Sequence, residues 1–278
     1  MGVSLGDRTR WLALAALACV PCVAAALPEV ASHARPSFIQ RTTTVEAGTT
    51  ALLGIDFRID PEWHLYWNGT NDSGMAPVVE LDLPPGYVAQ PTRWPAPRRA
   101  VAPGGLLDHI YDVRVTLLVP IQIPADASGE VPVRARLRWL ECKDICLMGS
   151  ATIETTLTVG PDPKPTTEAA QFEKTLKRLP RPFPPSYDAR VESGILHLRA
   201  PGAARVAFFA GPDCEFLTSL LEDGEASGEA LAIRIDSTEA TPRIEGVLET
   251  TAADGQKAWY QVDLHPPQAS GTESPSNP

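Results

Sequence analysis

The strongest constraint on the fold is an alternating run of residues that leads straight into two cysteines. Between residues 131 and 139, arginines at positions 134, 136 and 138 are interleaved with apolar residues: Val131, Val133, Ala135, Leu137 and Trp139. A period of two is typical of a β-strand with one buried and one solvated face. Cys142 and Cys146 follow at once. The run therefore predicts a strand that carries this cysteine pair to its end.

The cysteine pair is compatible with a structural disulfide, a redox dithiol or a soft-metal site. A disulfide needs Cα atoms about 4.4–6.8 Å apart, which a hairpin tip or one helical turn provides. So short a loop restricts the unfolded chain little, which weakens the purely structural interpretation. A Cu(I) site would use Cys142, Cys146 and Met148, with His109 as a fourth ligand. The residues alone leave these alternatives open.

The reactivity of the pair depends on its neighbours. Strict alternation from Val131 would put Cys142 on the arginine face, which predicts an accessible thiol. Lys143 would favour the thiolate, the reactive form, whereas Glu141 and Asp144 would oppose it.

The N-terminus has the parts of an export signal. Arg8 and Arg10 precede an apolar run over residues 11–27, near the end of which stand three consecutive small residues, Ala24, Ala25 and Ala26. This pattern predicts a secretory signal peptide, residues 1–26, and a periplasmic protein that does not insert into the membrane after cleavage. An uncleaved anchor, or a lipoprotein acylated at Cys19 or Cys22, are the alternatives.

Charge and cysteine count narrow the function classes. A formal net charge of −10 disfavours nucleic acid, which attracts basic surfaces. Oxidising conditions outside the cytoplasm favour a bridge between Cys142 and Cys146, which leaves Cys214 as a buried or half-buried thiol. The sequence contains no G-x-S-x-G motif, so it gives no support to a serine hydrolase.

The rest of the chain reads as all-β. Residues 37–160 carry short β-branched runs separated by Pro, Gly and Asp, which indicates a sandwich or barrel. Residues 186–266 repeat this character and predict a second, smaller β-sandwich domain. The tail, residues 267–278, is expected to be disordered because it lacks apolar residues beyond Ala269.

Between the two β-rich regions, residues 161–185 form a Pro-rich linker. Phe172, Leu176 and Leu179 stand at helical spacing within it. They predict a short helix with Thr166 or Thr167 as its N-cap.

Residues 63–74 form a second notable cluster, with aromatic residues at positions 63, 66 and 67 followed by a polar turn. The cluster is interpreted as core and edge packing at a strand end, with a partner-binding surface as the alternative.

Three segments together resemble a known family. Residues 63–74, the Pro-rich stretch 83–97 and the run Trp139–Cys146 occur in this order. They resemble the N-terminal periplasmic domain of the thiol:disulfide interchange protein DsbD, in the branch with a Trp-x-x-Cys-Lys-x-x-Cys signature. The resemblance covers residues 37–160. It implies an immunoglobulin-like β-sandwich in which a hairpin carries Cys142 and Cys146 as the catalytic pair.

The resemblance also implies a function. The pair would relay electrons from a membrane-embedded electron-transfer protein to thioredoxin-like periplasmic proteins, including those of cytochrome c maturation, as a protein-disulfide reductase without a cofactor. The family's membrane and thioredoxin domains are not in this sequence, so separate partner proteins are expected. A copper-binding or structural β-sandwich protein with a static disulfide is the alternative.

The residues expected to cap the pair or bind a partner follow from the same resemblance. Leucines stand here where some members carry an aromatic cap. The sequence leaves open which cysteine attacks first, and Cys146 is favoured over Cys142. The cap or partner-binding residues are Leu106, Leu107, His109, Tyr111, Lys143 and Asp144.

Overall fold

The computed structural model describes residues 1–2, 32–237 and 242–265. The expected signal peptide, apart from its first two residues, and the expected disordered tail, residues 267–278, lie outside these ranges. The described residues from Ser32 onward belong to one compact unit.

The first part of this unit is an antiparallel β-sandwich. Its two sheets have the orders β1-β2-β8-β5 and β10-β9-β3-β7-β6. Strand β4 pairs with the same edge of β9 as β3 does, but earlier along β9. The strands are β1 (Ala34–Gln40), β2 (Thr50–Ile59), β3 (His64–Tyr66), β4 (Val78–Asp82), β5 (Val88–Ala89), β6 (Arg98–Ala102), β7 (Leu106–Asp112), β8 (Arg114–Gln122), β9 (Gly129–Cys142) and β10 (Cys146–Val159).

The alternation read from the sequence is confirmed in β9. Its apolar positions from Val131 to Trp139 are buried, and the arginines between them are exposed. Trp139 packs edge-on against Phe57 of the facing sheet, with ring centroids 5.3 Å apart. This contact joins the two sheets at the end of β9 that leads to Cys142.

A short helix, α1 (Ala169–Arg178), follows the first sandwich. Its N-cap is Glu168, so the expected cap at Thr166 or Thr167 is wrong. The Thr166 hydroxyl instead donates to the Gln40 carbonyl, which fixes the chain entering the helix. Phe172 is fully buried against Ile39 and Leu118 of the sandwich, so the amphipathic face of the helix packs on β1 and β8.

The second part is a smaller β-sandwich. Its sheets have the orders β11-β18-β17-β14-β15 and β12-β13-β16, and the β11–β18 pair is parallel. The elements are β11 (Arg181–Pro182), β12 (Asp188–Glu192), β13 (Ile195–Arg199), β14 (Arg205–Ala210), α2 (Leu220–Asp223), β15 (Glu225–Ser227), β16 (Ala230–Arg234), β17 (Ile244–Thr251) and β18 (Lys257–Leu264).

The larger sheet of the second sandwich is buried on both faces. Phe208 of β14 belongs to the core of the second sandwich, together with Leu196 and Ile233. Its neighbour Phe209 points the other way and packs with Trp67 in the core of the first sandwich. The fold is therefore all-β, an immunoglobulin-like sandwich followed by a smaller one that packs against it.

Candidate functional site

The cysteine pair closes the end of the β9–β10 hairpin. Cys142 and Cys146 are directly opposite in the antiparallel register, with Cα atoms 4.2 Å apart, and they form a disulfide. Three residue pairs before this end, Trp139 folds across Gly149, where a Cβ would lie 2.3 Å from the indole. Gly149 is thus required for the packing of Trp139 beneath the disulfide.

The two sulfur-bearing residues differ in exposure. Cys142 is 2% exposed, whereas Cys146 is exposed. Cys142 lies on the face opposite the core, as the alternation predicts, but Tyr66 and Ile110 cover it. The expected accessibility of Cys142 is therefore wrong, and Cys146 is the exposed residue of the pair.

A chain of polar groups leads from Cys146 into the protein. The Tyr66 hydroxyl lies 3.8 Å from Cys146 Sγ and 3.2 Å from Ser73 Oγ. The Ser73 hydroxyl donates to Asp108 Oδ2 at 2.5 Å, and the Ser73 amide donates to the other carboxylate oxygen. His64 Nε2 is 3.3 Å from the Tyr66 hydroxyl.

The protons in this chain can be assigned. Burial raises the pKa of Tyr66 and lowers the pKa of His64, so at neutral pH Tyr66 keeps its proton and His64 is uncharged. Ser73 gives its only hydroxyl proton to Asp108, so its oxygen can only accept from Tyr66. Tyr66 can therefore donate either to Ser73 or, when the bridge is reduced, to a thiolate at Cys146.

Strand pairing positions these groups. His64 of β3 stands opposite Cys142 of β9, and Tyr66 stands opposite Ile110 of β7. Gly74 lies against the Tyr66 ring, where a Cβ would be 2.1 Å from a ring carbon. The loop after β3 can thus close over the tyrosine only because residue 74 has no side chain.

The residues between the cysteines lie at the turn. The Lys143 ammonium donates to the Glu62 carboxylate at 2.7 Å, and this hydrogen bond raises the pKa of Lys143. Asp144 is exposed, and the Lys143 amide donates to the Ile145 carbonyl. Since Lys143 is already paired with a carboxylate, little of its charge is left to stabilise a thiolate.

The stretch expected to cap the pair is strand β7. Leu106 is 43% exposed, whereas Leu107 belongs to the core of the second sandwich. His109 is buried against Trp67 and Phe209, and the Tyr111 hydroxyl donates to the Pro95 carbonyl. The structure brings Ile110 of this stretch to Cys142, and it places Leu107, His109 and Tyr111 on the opposite face of β7.

The sequence reasoning missed Tyr66, Ser73 and Asp108 as groups near the disulfide. The first two stand in the 63–74 cluster, which was interpreted as packing, and Asp108 stands inside the expected cap stretch. Local patterns carry no information on this proximity, because it depends on β3 pairing with β9 on one side and with β7 on the other.

The other soft or titratable side chains do not converge on the disulfide. In the described ranges no group of three or more His, Cys, Asp or Glu could hold a metal ion. His109, the fourth ligand of the copper alternative, has its Nδ1 2.9 Å from the Thr70 carbonyl oxygen. Cys214 is 1% exposed, as expected of a buried thiol, and burial raises its pKa.

Comparison with known proteins gives a family for the first sandwich. Residues 35–158 match the family described as thiol:disulfide interchange protein DsbD, N-terminal. No curated protein sequence matches the chain significantly. In the described part of the chain, no helix has both the length and the apolar character needed to cross a membrane.

Solved structures bear on the fold. The N-terminal periplasmic domain of ScsB from Proteus mirabilis aligns over 86% of this chain and 96% of its own, at 13% identity and a TM-score of 0.55. The reduced N-terminal domain of DsbD from Neisseria meningitidis covers 47% of this chain and 91% of its own, at 16% identity and a TM-score of 0.29. The ScsB match extends through both sandwiches, so it supports the fold of the whole described unit. Residues 35–158, with the Cys142–Cys146 disulfide at their hairpin tip, belong to the family of DsbD N-terminal thiol–disulfide interchange domains.

Proposed function

We propose that this chain is a periplasmic thiol–disulfide relay that takes electrons from a membrane-embedded partner and passes them to thioredoxin-like proteins. The observation that carries the proposal is the unequal exposure of the bridged cysteines at the tip of a hairpin. An exposed sulfur can enter a mixed disulfide with a partner, and a buried neighbour 4.2 Å away, Cα to Cα, can resolve it.

The proposed exchange balances in two steps. The thiolate of Cys146 attacks one sulfur of the partner disulfide, and the other partner sulfur leaves as a thiolate. Cys142 then attacks Sγ of Cys146, re-forms the hairpin disulfide and releases the second partner thiolate. The partner gains two electrons and two protons, and the reverse sequence with a reduced donor restores the dithiol.

A mixed-disulfide trap tests this proposal. In a Cys214→Ala background, the Cys142→Ser protein keeps only Cys146 at the hairpin, and the matched Cys146→Ser protein keeps only buried Cys142. Each is converted to its thionitrobenzoate adduct and mixed with a thioredoxin that retains only its first active-site cysteine. We expect the Cys142→Ser adduct to form a dithiothreitol-sensitive covalent complex at least about tenfold faster, because attack depends on access to the sulfur.

The competing functions give different results. If neither variant forms the complex and the wild-type bridge has a reduction potential below about −300 mV, the disulfide is structural. If the reduced protein instead binds Cu(I) tightly and Met148→Leu abolishes the binding, the pair is a metal site. Either result would overturn the relay.

A further inference from the structure

The loop that packs on Tyr66, the residue beside the disulfide, is also attached to the second sandwich. This loop, residues 68–74, is here called the strap. At its start, the Thr70 amide donates to the Ala210 carbonyl at 3.0 Å, and the Thr70 hydroxyl donates to the Gly211 carbonyl at 2.9 Å. Both acceptors lie at the end of β14, so the strap is hydrogen-bonded directly to the larger sheet of the second sandwich.

The contact between the strap and β14 is tight. A Cβ at Gly69 would lie 2.4 Å from the Ala210 carbonyl oxygen and 2.1 Å from the Trp67 ring. Phe209, next to Ala210 in β14, packs with the rings of Trp67 and His109 at centroid distances of 6.4 and 5.2 Å. The position of the strap is therefore sensitive to small displacements of β14.

The middle of the strap is fixed along β7 by polar side chains. Asn71 Oδ1 accepts from the His109 amide at 2.7 Å, and Asp72 Oδ2 accepts from the Leu107 amide at 2.6 Å. Strand β3 ends opposite Ile110 of β7, and past this point the side chains of Asn71 and Asp72 accept the hydrogen bonds of the β7 amides in place of a paired strand. They transmit the position set at Thr70 towards the far end of the strap.

The far end of the strap reaches the redox pair. Ser73 accepts from Tyr66 and donates to Asp108, and Gly74 lies on the Tyr66 ring. The Tyr66 hydroxyl lies 3.8 Å from Cys146 Sγ. The strap thus connects the Ala210 and Gly211 carbonyls of the second sandwich to Tyr66, whose hydroxyl can donate to the Cys146 thiolate.

We infer that the second sandwich sets the reactivity of Cys146 by holding the strap, with Thr70 and Phe209 as positioning residues. The inference rests on the proposed thiol–disulfide exchange at Cys146 and assigns a role to the second sandwich in it. Gly74 of the strap lies against the Tyr66 ring and keeps its hydroxyl beside Cys146 Sγ. A thiolate that accepts a hydrogen bond from Tyr66 is stabilised relative to the thiol. A displaced strap lets the Tyr66 ring move away from the sulfur, so the pKa of the Cys146 thiol rises.

The test measures the rate at which the reduced protein attacks dithiobis(nitrobenzoate), from about pH 6 to about pH 10, a range that spans the ordinary pKa of a thiol. Two matched pairs of variants are compared. Thr70→Val removes the hydroxyl that Thr70→Ser retains. Phe209→Leu loosens the strap face of β14, whereas Phe208→Leu makes the same change on the opposite, equally buried face.

We expect Thr70→Val and Phe209→Leu to lower the rate at neutral pH by about three- to tenfold, as the partial loss of one hydrogen bond to a charged group would. The rates should converge with the wild type at high pH, where the thiolate forms in every variant. Thr70→Ser and Phe208→Leu should match the wild type throughout.

Equal rates for both members of each pair, in proteins that melt cooperatively, would overturn the inference. An equal slowing in both members would overturn it too, since that indicates a general effect on folding. The nitrobenzoate probe reacts with any accessible thiol. If the strap variants react more slowly but no thioredoxin complex forms, the proposed relay is refuted and the role of the strap stands. If the thioredoxin complex forms but the strap variants react at the wild-type rate, the role of the strap is refuted and the relay stands.

Discussion

Glu141 and Cys142 are adjacent in sequence, but they lie on opposite faces of β9. The Glu141 carboxylate is buried and accepts hydrogen bonds from the Trp139 indole, the Ser32 hydroxyl and the amides of His33 and Ala34. Its negative charge is therefore shared among four donors on the core side of the strand. From the sequence, Glu141 was expected to oppose a thiolate at Cys142 because the two residues are neighbours in the chain. Their side chains point to opposite faces of the strand, and the donors around Glu141 weaken the repulsion between its carboxylate and a thiolate.

The group that does face the accessible sulfur is Tyr66, and removing its hydroxyl gives the first prediction at this scale. Tyr66→Phe deletes the donor 3.8 Å from Cys146 Sγ and leaves the ring that covers Cys142 in place. We expect the pKa of the Cys146 thiol to rise by about one unit, as the loss of one charge-assisted hydrogen bond would produce. The rate of reaction with dithiobis(nitrobenzoate) against pH measures this shift.

Tyr111→Phe is the control for the Tyr66 variant. Tyr111 is equally buried, but its hydroxyl donates to the Pro95 carbonyl in the core of the first sandwich. This variant should lose stability without changing the pH profile of Cys146. An unchanged profile in Tyr66→Phe would show that the tyrosine hydroxyl does not act on the sulfur.

At the scale of elements, the strands that local patterns predict well are those with one solvated face. Strand β9 shows the expected alternation because its arginines face outward, and Phe172 in α1 is buried as its helical spacing requires. The cover over Cys142 was missed because it comes from β3 and β7, which are far from β9 in sequence. Strand β3 reaches β9 only by pairing with it, and β7 lies next to β3 in the same sheet. Likewise, nothing local distinguishes Phe208 from Phe209, which face two different cores.

Helix α1 packs on the sheet of the first sandwich that does not carry the disulfide. A change in its buried face should therefore alter the stability of the protein and leave the reactivity of the disulfide unchanged. Phe172→Ala would leave a cavity against Ile39 and Leu118, at a cost of about 3–5 kcal/mol in the free energy of unfolding. Urea unfolding of the oxidised protein measures this loss. The exposed Lys174→Ala on the same helix should change stability by less than about 0.5 kcal/mol.

The Phe172 variant also separates stability from reactivity. Because α1 packs on β1 and β8 in the other sheet, the folded Phe172→Ala protein should keep the wild-type rate at Cys146. A lower reaction rate at Cys146 in this variant would show that any loss of stability alters the site, and it would contradict a specific role of the strap.

At the scale of the whole molecule, the two sandwiches are joined by one sheet that serves two cores. Phe209 and Val247 of this sheet lie in the core of the first sandwich, and Leu107 of β7 lies in the core of the second. Each sandwich therefore leaves apolar surface that only the other covers. Folding and unfolding of the two parts should be coupled, because separation would expose these side chains to water.

His109 lies in this joint and makes its stability depend on pH. Burial lowers the pKa of His109 to about 4 from an ordinary value of 6.5. As the pH falls, the unfolded chain therefore binds a proton before the folded protein does, and stability is lost between about pH 6.5 and about pH 4. A difference of about 2.5 units at 1.36 kcal/mol each corresponds to about 3 kcal/mol across this window.

His109→Gln, which cannot be protonated, should lack this contribution. Urea unfolding of the oxidised proteins at several pH values would compare the two free energies of unfolding. We expect the wild type to lose about 3 kcal/mol more than the variant between neutral pH and about pH 4, since the other titrating groups are common to both proteins. Parallel curves for the two proteins would mean that His109 is protonated in the folded state at moderate pH. The joint between the sandwiches would then be open to water at this residue.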